Sequence, residues 1–492
     1  MPNSYSLLPR LKGHLAPLLL VGLVVSADFL FFRQEPGINR FVFCLLLVAS
    51  IVQVARVVRP TRLVRFFLLA LLCMLPMIEA ATLSSRIVSA FAITLLALAA
   101  AGLLPRLPSA IPPVLARFTL AIPLRTIRGT GRLMTAGTIP ATARGIGTEL
   151  RFWVLPLALG TIFVGLFAGA NPLIERALQA IDLAALLSYI NIQRIFLWSV
   201  MAVMVWVLLR PKLARRCCRN RADTDIRIGS PSHISEPVVL RALLLFNLLF
   251  AIQTVLDAVY LWGGLDLPEG MSHAQYAHRG AYPLVVTALL AALFVLVAIR
   301  RGEDGARARL IRGLVYLWIG QNILLCISAI LRLDLYVEAF SLTGMRVAAG
   351  LWMLLVAIGL ALIMMRILFD KSNLWLFATN GASLLVVLYG VAVTDIPGHI
   401  ASYNVQHSSD LDGGGEWLDY YLRSLGPAAL PAIDLYLERA SFHHIPQFKL
   451  ARMKELRSDL LFDFRIRSRD WRSWTWRAQR LENYLARSGT AD

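Results

Sequence analysis

Lysine and arginine recur in every second gap between apolar stretches of this chain, and this alternation constrains its fold more than any other feature. Crossing the hydrocarbon core of a bilayer takes about 20 predominantly apolar residues in a helix, and eleven stretches of the sequence qualify. Loops on the cytoplasmic side of a membrane carry an excess of Lys and Arg. The alternation therefore predicts an all-α fold, a polytopic transmembrane helical bundle whose connections lie alternately on the two sides of a membrane.

The predicted spans are residues 15–32, 41–55, 66–80, 87–104, 152–170, 195–209, 238–262, 282–299, 314–331, 347–365 and 374–393. The second, third and sixth are short. If the N-terminus lies in the cytoplasm, the inner connections hold 27 of the 49 Lys and Arg and the outer connections hold 8. An excess of this size satisfies the positive-inside rule. Because the number of spans is odd, we expect the C-terminus outside.

The spans divide the chain into four parts. These are a first transmembrane group of six helices at 1–209, with a basic cytoplasmic connection at 105–151; a basic cytoplasmic linker at 210–237; a second transmembrane group of five helices at 238–393; and a small helical extracytoplasmic tail at 394–492. The connection at 105–151 carries seven arginines. It is interpreted as an interfacial segment on anionic lipid or as a docking surface for a cytosolic partner.

Composition supports a membrane location and argues against nucleic acid as a partner. The chain is 58% hydrophobic and 16% charged, whereas about 25% charged residues is typical of soluble domains. A net charge of +19 is explained by loop residues that fix topology and contact anionic headgroups. We therefore expect membrane lipids as partners, together with a membrane or envelope protein, and no nucleic acid.

Ionisable side chains inside a membrane are expensive and mark functional positions. Asp28, Glu79 and Asp257 lie toward the outer ends of their predicted helices, where they can also reach water. Side chains with helical spacing form two polar stripes, one on the seventh span and one on the ninth. An ion pair between Asp257 and Arg332 would either hold these helices together or line a polar cavity open to the outside. The stripes comprise Gln253, Asp257, Tyr260, Gln321, Ser328 and Arg332.

Patterns that would indicate catalysis or a cofactor are weak. His399, His407, His443 and His444 follow the last span, but their spacing does not match an established zinc site. The sequence contains no phosphate-binding glycine loop, nucleophile elbow or HExxH motif. We expect no cofactor and no enzymatic activity. The run DWRSWTWRAQR at 470–480 suits the lipid headgroup region, and packing on its own domain is the alternative.

Six stretches in order resemble an uncharacterised family. They are FAGANP (167–172), the segment from FNLLFAIQTVLDAVYLWGG to SHAQYAHRGAYPL (246–284), LRLDLYVEAFSLTGMR (331–346), DIPGHIASYNV (395–405), LDYYLRSLGPAALPAI (418–433) and DWRSW (470–474). This series resembles the bacterial membrane family named domain of unknown function four-one-seven-three and its close relative four-one-five-three. The resemblance covers roughly residues 150–490 and leaves the first four spans unmatched.

The resemblance implies a multi-pass protein of the bacterial inner membrane whose C-terminal part faces the exterior, and it implies no activity. The matched positions on the expected outer surface are Asn171, Tyr276, Arg279, Tyr336, Arg346, Tyr403, Asn404, Asp419, Asp470, Trp471 and Arg472, with Asp257 and Tyr260 in the polar stripe. Three functions stay open: a non-enzymatic envelope sensor, scaffold or partner-binding subunit; a transporter or lipid-handling protein with a cavity around Asp257 and Arg332; and an enzyme acting on lipid-linked substrates.

Overall fold

The computed structural model of the chain describes residues 8–55, 60–105, 108–120, 191–211, 236–259, 306–407, 417–440 and 445–488, together with five isolated positions. Every regular element within these ranges is helical. The α-helices, in chain order, are α1 (Leu8–Phe31), α2 (Ile38–Val54), α3 (Pro60–Met74), α4 (Pro76–Glu79), α5 (Leu83–Ala100), α6 (Ile111–Leu120), α7 (Ile192–Leu209), α8 (Glu236–Asp257), α9 (Ala306–Phe340), α10 (Gly344–Leu368), α11 (Asn373–Val393), α12 (Ile396–Gln406), α13 (Trp417–Leu425), α14 (Leu430–Ala440), α15 (Gln447–Arg467) and α16 (Trp476–Arg487).

Many of these helices are long and apolar enough to cross a membrane. In the described part of the chain, seven helical stretches meet the required length and hydropathy: Pro60–Glu79, Leu83–Ala100, Ile192–Leu209, Pro237–Asp257, Arg309–Glu338, Gly344–Leu368 and Asn373–Val393. Leu15–Phe31 and Ile38–Val54 are shorter apolar helices. The predicted class, a helical multi-pass membrane protein, is confirmed. The count of eleven spans stays a prediction, and the spans at 152–170 and 282–299 lie almost entirely outside the described residues.

Helices α9 and α3 extend beyond the N-terminal limits of their predicted spans. The ninth span, predicted at 314–331, belongs to the 35-residue helix α9, which is about 50 Å long at 1.5 Å per residue. A helix of that length exceeds the hydrocarbon core of about 30 Å and extends beyond it. The third span starts earlier than predicted, because Pro60 is accommodated in the first turn of α3.

In the described part of the chain, the predicted transmembrane helices pack around two large hydrophobic cores. Helices α1, α2, α3, α5 and α7 surround the first core, which includes Val48 and Leu96. Helices α8 to α11 surround the second core, which includes Trp318. Helix α11 also packs against α4 and α5 of the first group. At the beginning of the connection at 105–151, Phe118 of α6 packs against Leu98 and the end of α7. The interfacial and docking interpretations of this connection stay predictions.

The tail, residues 394–492, has a core of its own. Helices α12 to α16 bury Leu422, Leu430 and Ile433 completely. Helix α13 ends just before Gly426, whose φ of +69° is a left-handed conformation that glycine adopts without strain. The tail is therefore a small helical unit of the kind that the sequence predicts.

Candidate functional site

The tail is attached to the bundle through an ion cluster around Glu79. This residue ends α4, and its carboxylate accepts a hydrogen bond from Arg480 Nη1 at 2.9 Å and a second from Arg480 Nη2. Arg477 Nε donates to the same carboxylate at 3.4 Å. Arg477 and Arg480 are three residues apart on α16, so they lie on one helix face. The hydrogen bond to Glu79 raises the pKa of Arg480 above its ordinary value.

Arg477 extends this cluster to the second helix group. Its Nη1 lies 3.3 Å from Asp395 Oδ1, and its Nη2 donates to the carbonyl of Thr394 at 2.9 Å. Thr394 follows α11, and Asp395 caps α12 by accepting a hydrogen bond from the Gly398 amide. One tail arginine therefore joins the end of α4 to the end of α11.

A second contact involves the connection between α1 and α2. The amide of Ile38, in the first turn of α2, donates to the carbonyl of Trp474 at 2.8 Å. This bond satisfies one of the amides that a helix leaves without an internal partner at its N-terminus. Gly37 lies directly against the backbone of Ser473, leaving no room for a Cβ. Arg472 donates from Nη1 to the carbonyl of Phe29 at 2.8 Å.

Asp470 organises this segment of the tail. Its carboxylate accepts hydrogen bonds from the backbone amide of Arg472 at 2.9 Å and from the guanidinium of the same residue. These bonds hold the pKa of the Asp470 carboxyl below its usual value. Asp470 therefore orients Arg472 toward the end of α1.

A third contact involves the turn between α9 and α10. The side chain of Asn404, which is buried, accepts from the Leu342 amide at 2.7 Å and donates to the Leu342 carbonyl at 2.8 Å. The Gly344 amide donates to the Tyr421 hydroxyl at 2.9 Å. Within the turn, Arg346 donates to the carbonyls of Phe340 and Ser341.

The three contacts bring one end of each participating helix to the same face of the bundle. We call this the docking face: the C-terminal ends of α1, α4, α9 and α11 and the N-terminal ends of α2 and α10. These ends are the ones that the charge pattern assigns to the outer side. The tail therefore bridges the first and second helix groups at a single face.

The candidate outer-surface residues fall into three sets. Asn404, Arg346, Asp470 and Arg472 take part in the contacts above, and the Tyr336 ring lies 4.5 Å from the Arg346 guanidinium. Three lie within the tail: Tyr403 stacks on His407, Asp419 forms an ion pair with Arg452, and Trp471 is 56% exposed. Asn171, Tyr276 and Arg279 lie outside the described residues.

The structure also brings together the two polar stripes of the bundle. Arg332 of α9 forms an ion pair with Asp257 of α8, and both residues are buried. Gln253 Nε2 donates to Asp257 Oδ1 at 2.9 Å. Gln321 Nε2 donates instead to the carbonyl of Asn247 at 3.3 Å. Ser328 is buried, and Tyr260 lies outside the described residues.

Further polar atoms are buried between these helices. Within the described part of the chain, Asn247 Oδ1, Trp318 Nε1, Gln321 Oε1 and Asn322 Oδ1 make no hydrogen bond. A polar atom left without a partner in an apolar environment costs free energy. The arrangement is suited to holding water or a polar ligand group. Sequence reasoning found Gln321 but missed the other three, because isolated Asn and Trp residues in an apolar run carry no distinctive spacing.

The remaining acid, Asp28, joins two helices of the bundle. Asp28 of α1 accepts hydrogen bonds from Arg194 Nε at 2.7 Å, from Arg194 Nη2 at 2.5 Å and from Trp198 Nε1 at 2.9 Å, which ties α1 to α7. Among the described residues, no group of three or more His, Cys, Asp and Glu could hold a metal ion. His443 and His444 lie outside those residues.

Sequence reasoning also missed the tail arginines as partners of Glu79. It assigned the run at 470–480 to lipid headgroups or to packing within the tail, whereas Arg477 and Arg480 reach the bundle. The available signal was a pair of arginines at i and i+3 in the tail and an acid at a helix end on the same predicted side.

The helices, the apolar surface and the docked tail define a multi-pass helical membrane protein with an additional helical unit at one face. Comparison of the sequence with family models gives a match over residues 66–436, three quarters of the chain, to the domain of unknown function DUF4153. The chain belongs to this family, which is the four-one-five-three relative of the resemblance above. The match starts at the third predicted span, earlier than that resemblance. No curated protein and no solved structure matches the chain.

Proposed function

We propose that this protein is a non-enzymatic sensor, scaffold or partner-binding subunit of the bacterial inner membrane, with its N-terminus in the cytoplasm and its tail outside. The recognition surface consists of the tail and the docking face. The positive-inside pattern supports this orientation. The proposal assigns no catalytic residue and no cofactor, and its expected partners are membrane lipids and a membrane or envelope protein.

The observation that carries the proposal is the Glu79 cluster. It joins a separately folded tail to the ends of helices from both transmembrane groups. Partly exposed ion pairs contribute modestly to stability, so a partner that binds the tail can shift the docked arrangement. A ligand shifts such an equilibrium only by the difference between its affinities for the two states. Because the tail is docked on the ends of membrane helices, a partner that prefers one state of the tail would act directly on those helices.

Exposed apolar side chains on the tail supply a contact surface. Trp471 and Trp476 are 56% and 52% exposed, and the chain neighbour of Trp471, Arg472, binds the end of α1. Tryptophan is enriched at membrane interfaces and in the centres of protein interfaces. We infer that these rings contact lipid headgroups or a partner protein at the membrane surface.

Complementation of a deletion strain tests this proposal. We expect Trp471→Ala and Arg346→Gln to impair rescue of the envelope phenotype while the protein accumulates normally in the membrane. Arg65→Gln, at an exposed position near the N-terminal end of α3 and outside the tail and the docking face, is the matched control and should rescue fully. Full rescue by both Trp471→Ala and Arg346→Gln would remove the claim that this surface works in recognition.

A transporter or lipid-handling protein is the second candidate, and the buried polar atoms between α8 and α9 favour it. In that case the Asp257–Arg332 pair borders a hydrated cavity. A cysteine introduced by Gln321→Cys would then react with a water-soluble thiol reagent, whereas one introduced by Ile323→Cys, on the opposite side of α9 and packed against the apolar core, would not. Equal lack of reaction at both positions would count against a hydrated cavity.

A further inference from the structure

A cleft separates the tail from the docking face. Its volume is about 410 Å³, within the range of about 300–1,000 Å³ typical of small-molecule sites. Glu35 and Pro36 of the α1–α2 connection line the side that belongs to the bundle. Pro427, Arg467 and Tyr484 are among the residues that line the tail side. A ligand that fills this cleft contacts both parts of the molecule.

The charged side chains of the cleft form two groups, one with ion-pair partners and one without. The cations of Arg477 and Arg480 are matched by the carboxylates of Glu79 and Asp395. Glu35 and Arg467 also line the cleft. Within the described part of the chain, neither of them forms an ion pair.

The cleft therefore presents one uncompensated carboxylate on the bundle side and one uncompensated guanidinium on the tail side. A simple anion attracted by Arg467 is repelled by Glu35, and a simple cation attracted by Glu35 is repelled by Arg467. A ligand that carries both charges satisfies both groups. Apolar side chains, including Pro427 and Leu481, also line the cleft and suit a short carbon chain.

We propose that this cleft binds a zwitterionic group, with an ammonium at Glu35 and a phosphate or carboxylate at Arg467. Arginine is suited to such oxyanions because its planar guanidinium donates two parallel hydrogen bonds. Two sources share this chemistry: the phosphoethanolamine headgroup of a lipid in the adjacent leaflet, and a free zwitterion such as an amino acid. The inference rests on the proposed function, in which occupancy of the cleft favours the docked tail.

Binding to the full-length protein in nanodiscs tests the proposal. In the first arm the nanodiscs contain phosphatidylglycerol alone, and glycerophosphoethanolamine is titrated while intrinsic tryptophan fluorescence is followed. In the second arm the fraction of phosphatidylethanolamine in the nanodiscs is raised, and the hydrogen exchange of the Ile38 amide reports tail docking. Saturable binding in the first arm without a response in the second identifies a free zwitterion, and a response to phosphatidylethanolamine in the second identifies the lipid headgroup; either supports the proposal.

Variants of the two charged residues supply the sharper test. Glu35→Gln and Arg467→Gln should each weaken the response by about tenfold or more, since a charge-assisted hydrogen bond contributes about 1.5–3 kcal/mol. Arg469→Gln, at an exposed position that does not line the cleft, should leave it unchanged. Glycerophosphate lacks the ammonium, so Glu35→Gln should strengthen its binding. Both cleft positions are exposed, and each variant's elution profile and Tm check its folding.

No saturable response in either arm would overturn the proposal. So would equal binding of glycerophosphate and glycerophosphoethanolamine with no effect of Glu35→Gln. Trp471 and Arg346, which test the recognition surface by complementation, do not line the cleft. A failed binding test with impaired rescue by those variants would therefore refute the ligand and leave the proposed function standing.

Discussion

Glu79→Gln is the substitution that tests the attachment of the tail most directly. It keeps the size of the side chain and removes its charge. In the native protein the carboxylate accepts two hydrogen bonds from Arg480 and one from Arg477. The side chains of Glu79 and Arg477 are 13% and 17% exposed, whereas that of Arg480 is 50% exposed. The cluster is therefore intermediate between a buried ion pair and a surface pair.

The free energy of docking that Glu79→Gln removes follows from this intermediate exposure. Removing one partner of a buried pair costs about 3–5 kcal/mol, and exposed pairs contribute about 0–1 kcal/mol. We expect a loss of about 2–3 kcal/mol, which lowers the ratio of docked to undocked tail by about 30- to 150-fold at 1.4 kcal/mol per factor of ten.

Hydrogen exchange at one amide measures that ratio. The Ile38 amide donates to the Trp474 carbonyl, so it is released when the tail separates from α2. Its protection should fall by about the same 30- to 150-fold, because exchange from a local opening follows the free energy of that opening. Glu455→Gln removes the charge of an exposed residue on α15 and should leave the protection of the Ile38 amide unchanged. If Glu79→Gln changed the protection of Ile38 by less than about threefold, the ion cluster would not be what holds the tail.

Four further predictions follow from other contacts. Gly37→Ala should separate the tail from α2, seen as lost protection of the α2 N-terminus, because a Cβ meets the tail backbone; unchanged protection would contradict that contact. Asp257→Leu should lower stability by about 3–5 kcal/mol in a denaturation assay, and adding Arg332→Leu should recover most of it; no recovery would mean that the pair is not the cause. Asn404→Ala should cost about 1–3 kcal/mol by the same assay, because two backbone groups lose a buried partner. Burial raises the pKa of Tyr484 to about 12, above about 10 in the unfolded chain; stability from this residue is complete below pH 10 and is lost as pH rises toward 12, so Tyr484→Phe should flatten the alkaline part of the stability profile.

The class of the protein could be predicted because the physics of membrane insertion is local. A run of about 20 apolar residues and the sign of its flanking charges are visible without any knowledge of distant contacts. The Gly426–Pro427 pair, which ends α13, is a local signal of the same kind. The length of α9 was underestimated because the charges at Arg332, Asp334 and Glu338 end an apolar run without ending a helix.

The candidate site was only partly accessible from sequence. The Asp257–Arg332 pair could be proposed because helical spacing places both residues on defined faces at one depth. The docking contacts could not be proposed from the sequence, because they join residues up to about 440 positions apart, such as Phe29 and Arg472. Several of the docking contacts also use backbone groups, such as the Ile38 amide and the Trp474 carbonyl. Because nearly every residue carries these groups, they leave no signal in the sequence.

The proposed function requires the docked tail to lie outside the cytoplasm. Labelling with a membrane-impermeant maleimide tests it in spheroplasts, using a cysteine introduced by Arg469→Cys in a background without other cysteines. A second background retains only Cys217 and Cys218 of the predicted cytoplasmic linker. We predict that the cysteine at position 469 reacts in intact spheroplasts and that the linker cysteines react only after lysis. The reverse pattern would contradict the orientation and, with it, a recognition surface that faces the envelope.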